Sequence, residues 1–119
     1  MADLKSEAVN NEWQASHRYA RMSARKVRLI ADMIRGMDCN AALDLLRFQH
    51  QRGAMFLSAV LKSAMVNADE QEADMNRLFV KESRVDEGPY FRRFRPKDRG
   101  RAHPIAKRTC HMIIKVAER

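Results

Sequence analysis

The spacing of apolar residues changes from a helical to a strand period near Asn76 of this 119-residue chain. Before Asn76 apolar residues recur every three or four positions, as in an amphipathic helix, and after it they alternate, as in a strand. One further strand is predicted ahead of the helices, from Trp13 to Tyr19. Helices bounded by strands, without regular βαβ alternation, predict a single α+β domain with a small antiparallel sheet.

Three helices are predicted in the first part of the chain. Ser23 is the expected N-cap of the first helix, and Gly36 is its expected stop. The second helix is short and ends by Phe48, and residues 50–53 are expected to separate it from a third, longer helix. The apolar stripe that would bury the first helix consists of Val27, Ile30, Ala31 and Ile34.

The last part of the chain is predicted to form strands. Residues 78–85 are a β-branched and aromatic run, which favours a strand. The clearest strand is the C-terminal one, because apolar residues alternate there with more polar ones. The apolar residues of this strand are Cys110, Met112, Ile114 and Val116.

The net charge of +8 is concentrated in two segments. Residues 17–35 carry +5 and residues 84–108 carry +6, whereas the rest of the chain is slightly acidic. Such clustering indicates a polyanionic partner, and it favours nucleic acid over a membrane surface. Two separate contact surfaces are expected, although the first patch alone fits a solvated helix face equally well.

The segment from Gly88 to Pro104 carries the strongest functional signal in the sequence. It holds six basic residues and one acid without apolar periodicity, so it cannot belong to the core. Three prolines restrict its backbone and Gly100 permits a tight turn. This combination predicts an ordered, extended hairpin at about residues 85–105, with arms of about ten residues each.

Tyr90, Phe91 and Phe94 are interleaved with the arginines of this segment. Arginine forms bidentate bonds to phosphate, and aromatic rings stack on unpaired bases, so the mixture favours RNA. The alternative is that the three rings pack together and brace the base of the hairpin. The cations predicted to bind RNA are Arg18, Arg21, Arg25, Lys26, Arg28, Arg92, Arg93, Arg95, Lys97, Arg99, Arg101, Lys107 and Arg108.

An enzyme is not expected. The four histidines lie in unrelated segments, and the sequence has no nucleophile motif, phosphate-binding glycine loop or metal-ligand spacing. We therefore predict neither a cofactor nor a metal. Cys39 and Cys110 are expected to be reduced core residues of a cytoplasmic protein. No membrane partner is expected, and residues 1–11 are predicted to be a disordered leader before a single domain, residues 12–119.

Four stretches of the sequence resemble the bacterial large-subunit ribosomal protein L twenty-two family. They are Ala15–Gly36, Val85–Pro89, Arg99–Ala102 and Lys107–Met112, and the resemblance runs from about residue 12 to residue 119. It implies three helices packed on a three-stranded antiparallel sheet, with a long protruding β-hairpin. It also implies binding to large-subunit rRNA and to neighbouring ribosomal proteins, and a role in subunit assembly.

The same resemblance implies that the hairpin lies in the wall of the nascent-peptide exit tunnel. Arg99, Gly100 and Arg101 would form its tip and meet the nascent peptide transiently. Two other interpretations remain open from the residues themselves. One is a free-standing RNA chaperone, and the other is a DNA-binding protein that places its first basic helix in a groove of the duplex.

Overall fold

The structure is a computed structural model that describes residues 12–97 and 100–119, without the side chains of residues 95–97 and 101–104. The predicted leader, residues 1–11, lies outside the described residues. A short 3-10 helix at Met75–Arg77 precedes the last strands. Along the chain the main elements are β1 Glu12–Ala20, α1 Ala24–Ile34, α2 Cys39–Phe48, α3 Arg52–Glu70, β2 Leu78–Glu87, β3 Phe91–Lys97, β4 Arg101–Lys107 and β5 Cys110–Glu118.

The body is built on a three-stranded antiparallel sheet with the order β1, β5, β2. The C-terminal strand β5 is central, and its alternation sorts its residues between two faces. The face that packs against the helices consists of Cys110, Met112, Ile114 and Val116, all fully buried. Three helices and this sheet confirm the predicted α+β class.

Helix α1 buries the predicted apolar stripe, whose four residues are at most 2% exposed. Ser23 occupies the N-cap position, but its side chain accepts no hydrogen bond from the helix. The helix ends at Ile34, and Gly36 adopts a left-handed φ of 83° as the chain turns toward α2. The predicted limits of α1 are confirmed.

The break between α2 and α3 is shorter than predicted. Helix α3 begins at Arg52, so Gly53 lies in its first turn and not in the break. A Cβ at position 53 would lie 3.3 Å from Cγ2 of Val27, which shows that this glycine lets α3 approach α1 closely. Although α3 is the longest helix, none of the described helices is long and apolar enough to cross a membrane.

Strands β3 and β4 form a second, two-stranded antiparallel sheet, which we call the ribbon. The paired segment has seven residues on each strand and begins where Phe91 lies opposite Lys107. It is shorter than predicted because β2 continues to Glu87 alongside β5. The two strands contact each other far more than they contact any other element. Residues 98–99 lie outside the described residues.

The two cysteines are buried and unbonded, as predicted. Burial, assisted by the negative charge of Asp38, raises the pKa of the Cys39 thiol to about 11. Burial also raises the pKa of Cys110, and the positive charge of Arg28 opposes that shift. Within residues 12–97 and 100–119, no three His, Cys, Asp or Glu side chains lie together in a way that could hold a metal ion.

Candidate nucleic-acid interface

Six cations from three parts of the fold surround one open groove of about 790 Å³. The groove lies between the N-termini of α1 and α3 and the end of the ribbon nearest the body. Half-buried Met22 gives it an apolar floor, beneath which Val27 and Ile30 are buried. The six cations, which we call the groove cations, are Arg21, Arg25, Lys26, Arg52, Lys107 and Arg108.

The first turns of α1 and α3 carry cations where helices usually carry acids. Neither first turn contains an acidic residue, and Arg25, Lys26 and Arg52 lie there instead. Because the helix dipole is positive at this end, each such cation costs about 0.3–1 kcal/mol. The side chains of the N-cap residues Ser23 and Gln51 accept no hydrogen bond from their helices. Both helix ends therefore present N–H groups and cations to the groove, an arrangement that favours an anion.

A bulge in β1 directs the chain toward the groove. Near the end of this strand Tyr19 adopts a left-handed φ of 58°, which costs a non-glycine residue roughly 1–2 kcal/mol. The Tyr19 N–H donates to Nδ1 of His111 at 3.0 Å, and the two rings meet edge to face at 4.8 Å. These contacts offset the strain. Soon afterwards the guanidinium of Arg21 stacks over the Phe91 ring, 5.2 Å from its centre.

A tight junction connects the sheet to the ribbon. The N–H of Gly88 donates to the carbonyl of Thr109 at 3.0 Å, and the buried Thr109 hydroxyl donates to the carbonyl of Pro89. A Cβ at position 88 would lie 2.6 Å from the Thr109 hydroxyl oxygen, so this position requires glycine. The junction fixes the end of the ribbon and thereby holds Lys107 and Arg108 at the groove.

Ion pairing divides the cations of this protein into two groups. On the sheet face that the helices leave open, Arg84 and Lys115 pair with Glu82 at 3.1 and 3.2 Å. Desolvation would raise the pKa of Glu82, but these two cations lower it below its usual value. By contrast, no groove cation pairs with a carboxylate among the side chains that the structure describes. The sheet face is neutralised, whereas the groove keeps its positive charge.

Parts of the two predicted basic patches come together in the structure, so the patches are not fully separate as predicted. Arg21, Arg25 and Lys26 from the first patch line the groove with Lys107 and Arg108 from the second. They meet because the ribbon begins and ends beside the N-terminus of α1. That proximity comes from tertiary packing, and the spacing of residues in the sequence does not reveal it.

Arg18 and Arg28, also predicted to bind RNA, do not line the groove. Arg18 is exposed on β1. The Nε–H of Arg28 donates to the carbonyl of Val85 at 2.9 Å, and Arg35 donates to the carbonyl of Ser83. Because β2 is an edge strand, these arginines bind carbonyl groups on a strand that has no further strand beside it.

Five of the remaining predicted cations belong to the ribbon strands, and the sixth, Arg99, lies outside the described residues. Arg92 and Arg93 are exposed on β3. Gly100 has a left-handed φ of 76°, and no atom of the described side chains and backbone lies within 4 Å of the point where a Cβ would stand. The structure does not describe the side chains of Arg95, Lys97 and Arg101.

The three aromatic residues near the start of the ribbon are open to solvent. Tyr90 is 55%, Phe91 48% and Phe94 70% exposed, which is not the burial of rings packed into a cluster. None of the described ring pairs joins two of these residues, which favours open rings over the alternative of a bracing cluster. Phe91 instead lines the groove, with Arg21 over its ring.

Sequence reasoning missed Arg52 as a groove residue. It lies within residues 36–83, which are acidic overall, so summing the charge by segment did not single it out. In the structure its guanidinium lies over the Phe56 ring, 5.6 Å from the ring centre, at the start of α3. The available signal was Gly53, because a glycine at the start of a helix indicates a close approach to another element.

Residues 15–117 of the 119-residue chain match the family described as ribosomal protein L22p/L17e. The match spans the body and the ribbon, so it includes every element that lines the groove. It confirms the resemblance carried by the four stretches of sequence, and the family is one of structural proteins, not of enzymes. The chain therefore belongs to the ribosomal protein L22p/L17e family and is a structural protein of the large ribosomal subunit.

Proposed function

We propose that this protein binds large-subunit rRNA and supports subunit assembly beside neighbouring ribosomal proteins, and that the groove is the main rRNA contact of its body. One observation carries the proposal. The six groove cations converge without a carboxylate partner among the described side chains. Cations held this close repel one another, and phosphate groups would remove that repulsion by forming charge-assisted hydrogen bonds.

The shape of the groove favours RNA over duplex DNA. A DNA-recognition helix enters the major groove with an exposed face. Here the basic end of α1 lies between the start of α3 and the ribbon, so it cannot lie in such a groove without those elements being displaced. Folded RNA offers bends, loops and unpaired bases that can enter a concave surface.

We further propose that the ribbon protrudes from the body as a hairpin and lies in the wall of the nascent-peptide exit tunnel. Its separation from the other elements supports this, because a two-stranded sheet alone is only marginally stable in water. Surrounding phosphates would supply the missing stabilisation. In this arrangement Arg92, Arg93, Arg95, Lys97, Lys107 and Arg108 bind rRNA, and Arg99, Gly100 and Arg101 form the tip that meets the nascent peptide.

Charge reversal in the groove tests rRNA binding. The groove variant carries Arg25→Glu and Lys26→Glu. The matched control carries Arg47→Glu and Lys62→Glu, which change the net charge equally at exposed helix positions outside the groove. We expect the groove variant to bind deproteinised large-subunit rRNA at least tenfold more weakly. The slope of log affinity against log salt concentration should become shallower by roughly 0.7–0.9 for each lost phosphate contact. Equal effects in the two variants would contradict a specific role for the groove.

The tunnel placement needs its own experiment. A photoreactive amino acid at position 100, where no described atom lies within 4 Å of a Cβ, is incorporated into large subunits that carry a stalled peptide. Crosslinks from position 100 to the nascent peptide are the expected result. The control places the same group at position 92, on the arm, and should crosslink mainly to rRNA. Crosslinks from position 100 to outer-surface rRNA alone would overturn the placement.

A further inference from the structure

The groove has an apolar floor that phosphate binding alone does not require. Met22 is half-buried there, beside Val27 and Ile30. Gly53 lets the start of α3 pack closely beside this floor, because a Cβ at this position would lie 3.3 Å from Val27 and 3.4 Å from Ile30. An apolar recess under a cationic rim fits a ligand that is partly apolar and partly anionic.

The groove also offers flat surfaces for a planar ligand. The Phe91 ring is 48% exposed at the groove, and the planar guanidinium of Arg21 lies over it. Unpaired bases stack on aromatic rings and on arginine planes. The groove volume of about 790 Å³ is typical of sites that enclose a small molecule. Duplex RNA would not fill this recess, because its bases are stacked on one another and show only their edges.

We propose that the groove binds one unpaired nucleotide of the rRNA. The base lies on the apolar floor against Phe91, and the flanking phosphates contact Arg25 and Lys26 on one side and Lys107 and Arg108 on the other. This inference rests on the proposed rRNA binding and goes further, because it names the structural class of RNA that the groove selects. A groove that bound only phosphates would hold a backbone of any structure.

Two pairs of variants test the inference in the full-length protein. In the first pair, Phe91→Leu removes the ring at the groove, and Phe94→Leu makes the same change at a ring that is 70% exposed and does not line the groove. We expect Phe91→Leu to weaken binding to deproteinised large-subunit rRNA about tenfold, as loss of one base stack does. The slope of affinity against salt should stay unchanged, since no phosphate contact is removed. Any loss with Phe94→Leu should be smaller than the loss with Phe91→Leu, because this ring lies on the ribbon outside the groove.

The second pair fills the groove without changing charge. Met22→Trp places a bulky indole in the space that the base would occupy, whereas Met33→Trp is the same substitution at a 43% exposed position of α1 outside the groove. Met22→Trp should weaken binding, and Met33→Trp should not. Base-specific chemical probing should also show one base that is reactive in free rRNA, protected by the wild type, and reactive again with Phe91→Leu.

The outcomes separate the inference from the proposed function. Suppose that the wild type binds rRNA with strong salt dependence, and that Phe91→Leu and Met22→Trp bind it as tightly as the wild type. The proposed rRNA binding then stands, and the nucleotide site is overturned. A fall in salt slope with Phe91→Leu would also overturn it, because the loss would then come from phosphate contacts. If the wild type does not bind the rRNA at all, the proposed function fails first.

Discussion

The partner of each arginine decides its role in this protein. Arg84 lies between Glu82 and Asp86 on the surface of the sheet, a type of ion pair that contributes at most about 1 kcal/mol. Arg28 donates to a backbone carbonyl of an edge strand. Arg25 has neither kind of partner within the described part of the chain. The three side chains are the same, but we expect only the last to act mainly through an external anion.

Two alanine substitutions on α1 should separate these roles. Arg28→Ala leaves the Val85 carbonyl without its charged donor and should lower the free energy of unfolding in urea by about 1–2 kcal/mol. Arg25→Ala should leave it unchanged or raise it by up to about 1 kcal/mol, because a cation is removed from the positive end of the helix dipole. Affinity for rRNA should show the opposite order, with the larger loss for Arg25→Ala. The assignment fails if Arg25→Ala is the less stable variant.

Cys39 should make stability depend on pH in the alkaline range. Burial raises its pKa from 9.0 to about 11 in the folded protein, so the folded state holds this proton more tightly than the unfolded state. Its contribution is therefore complete below about pH 9 and is lost as the pH rises toward 11. We expect the stability difference between the wild type and Cys39→Ala, measured by urea unfolding, to decrease by roughly 2–3 kcal/mol across this range. A constant difference would contradict this explanation.

At the scale of elements, the junction between sheet and ribbon is held by hydrogen bonds more than by apolar packing. Hydrogen bonds connect Thr109 to Gly88 and to Pro89, at the point where β2 and β5 lead into the ribbon. Ser83 offers a useful contrast, because its hydroxyl is also buried, on β2, but has no hydrogen-bond partner within the described residues.

This contrast gives a matched pair of substitutions. Thr109→Val removes the donor to the Pro89 carbonyl and should lower the free energy of unfolding by about 1–3 kcal/mol. Ser83→Ala removes a buried hydroxyl that gains nothing from a partner, so stability should stay unchanged or rise by about 1 kcal/mol. Thermal and urea unfolding of both variants measure the two effects. Equal destabilisation would show that the Thr109 bond has no special role.

The buried faces that could be predicted from sequence are those of elements with a regular apolar period. The stripe of α1 and the alternation of β5 define their buried faces locally, so the sequence pattern was sufficient. The start of α3 depends on contact between Gly53 and α1, which is tertiary. The groove shows the same limit. Charge clustering identified most of its cations, but their convergence and the contribution of Arg52 depend on packing.

At the scale of the whole molecule, the body and the ribbon differ in what stabilises them. The body buries one continuous core between the three helices and the β1–β5–β2 sheet. The ribbon adds no residue to that core within the described part of the chain. The body should therefore fold independently of the ribbon, and the ribbon should become fully stable only in contact with RNA.

Excision of the ribbon tests this division. Replacing residues 91–107 with a short glycine-containing turn keeps the junction at Gly88 and Thr109 and removes no core residue. The variant should retain a cooperative thermal transition, with a melting temperature close to that of the wild type. Loss of that transition would show that the ribbon belongs to the folding unit of the body.

The central claim is that the groove cations attach this protein to the large ribosomal subunit. The most direct measurement is the amount of protein that co-sediments with purified large subunits through a sucrose gradient at high salt. The wild type and the Arg47→Glu, Lys62→Glu control should remain with the subunit, and the Arg25→Glu, Lys26→Glu variant should be largely lost from it. Full retention of the groove variant, or loss of the wild type from the subunit, would contradict the claim.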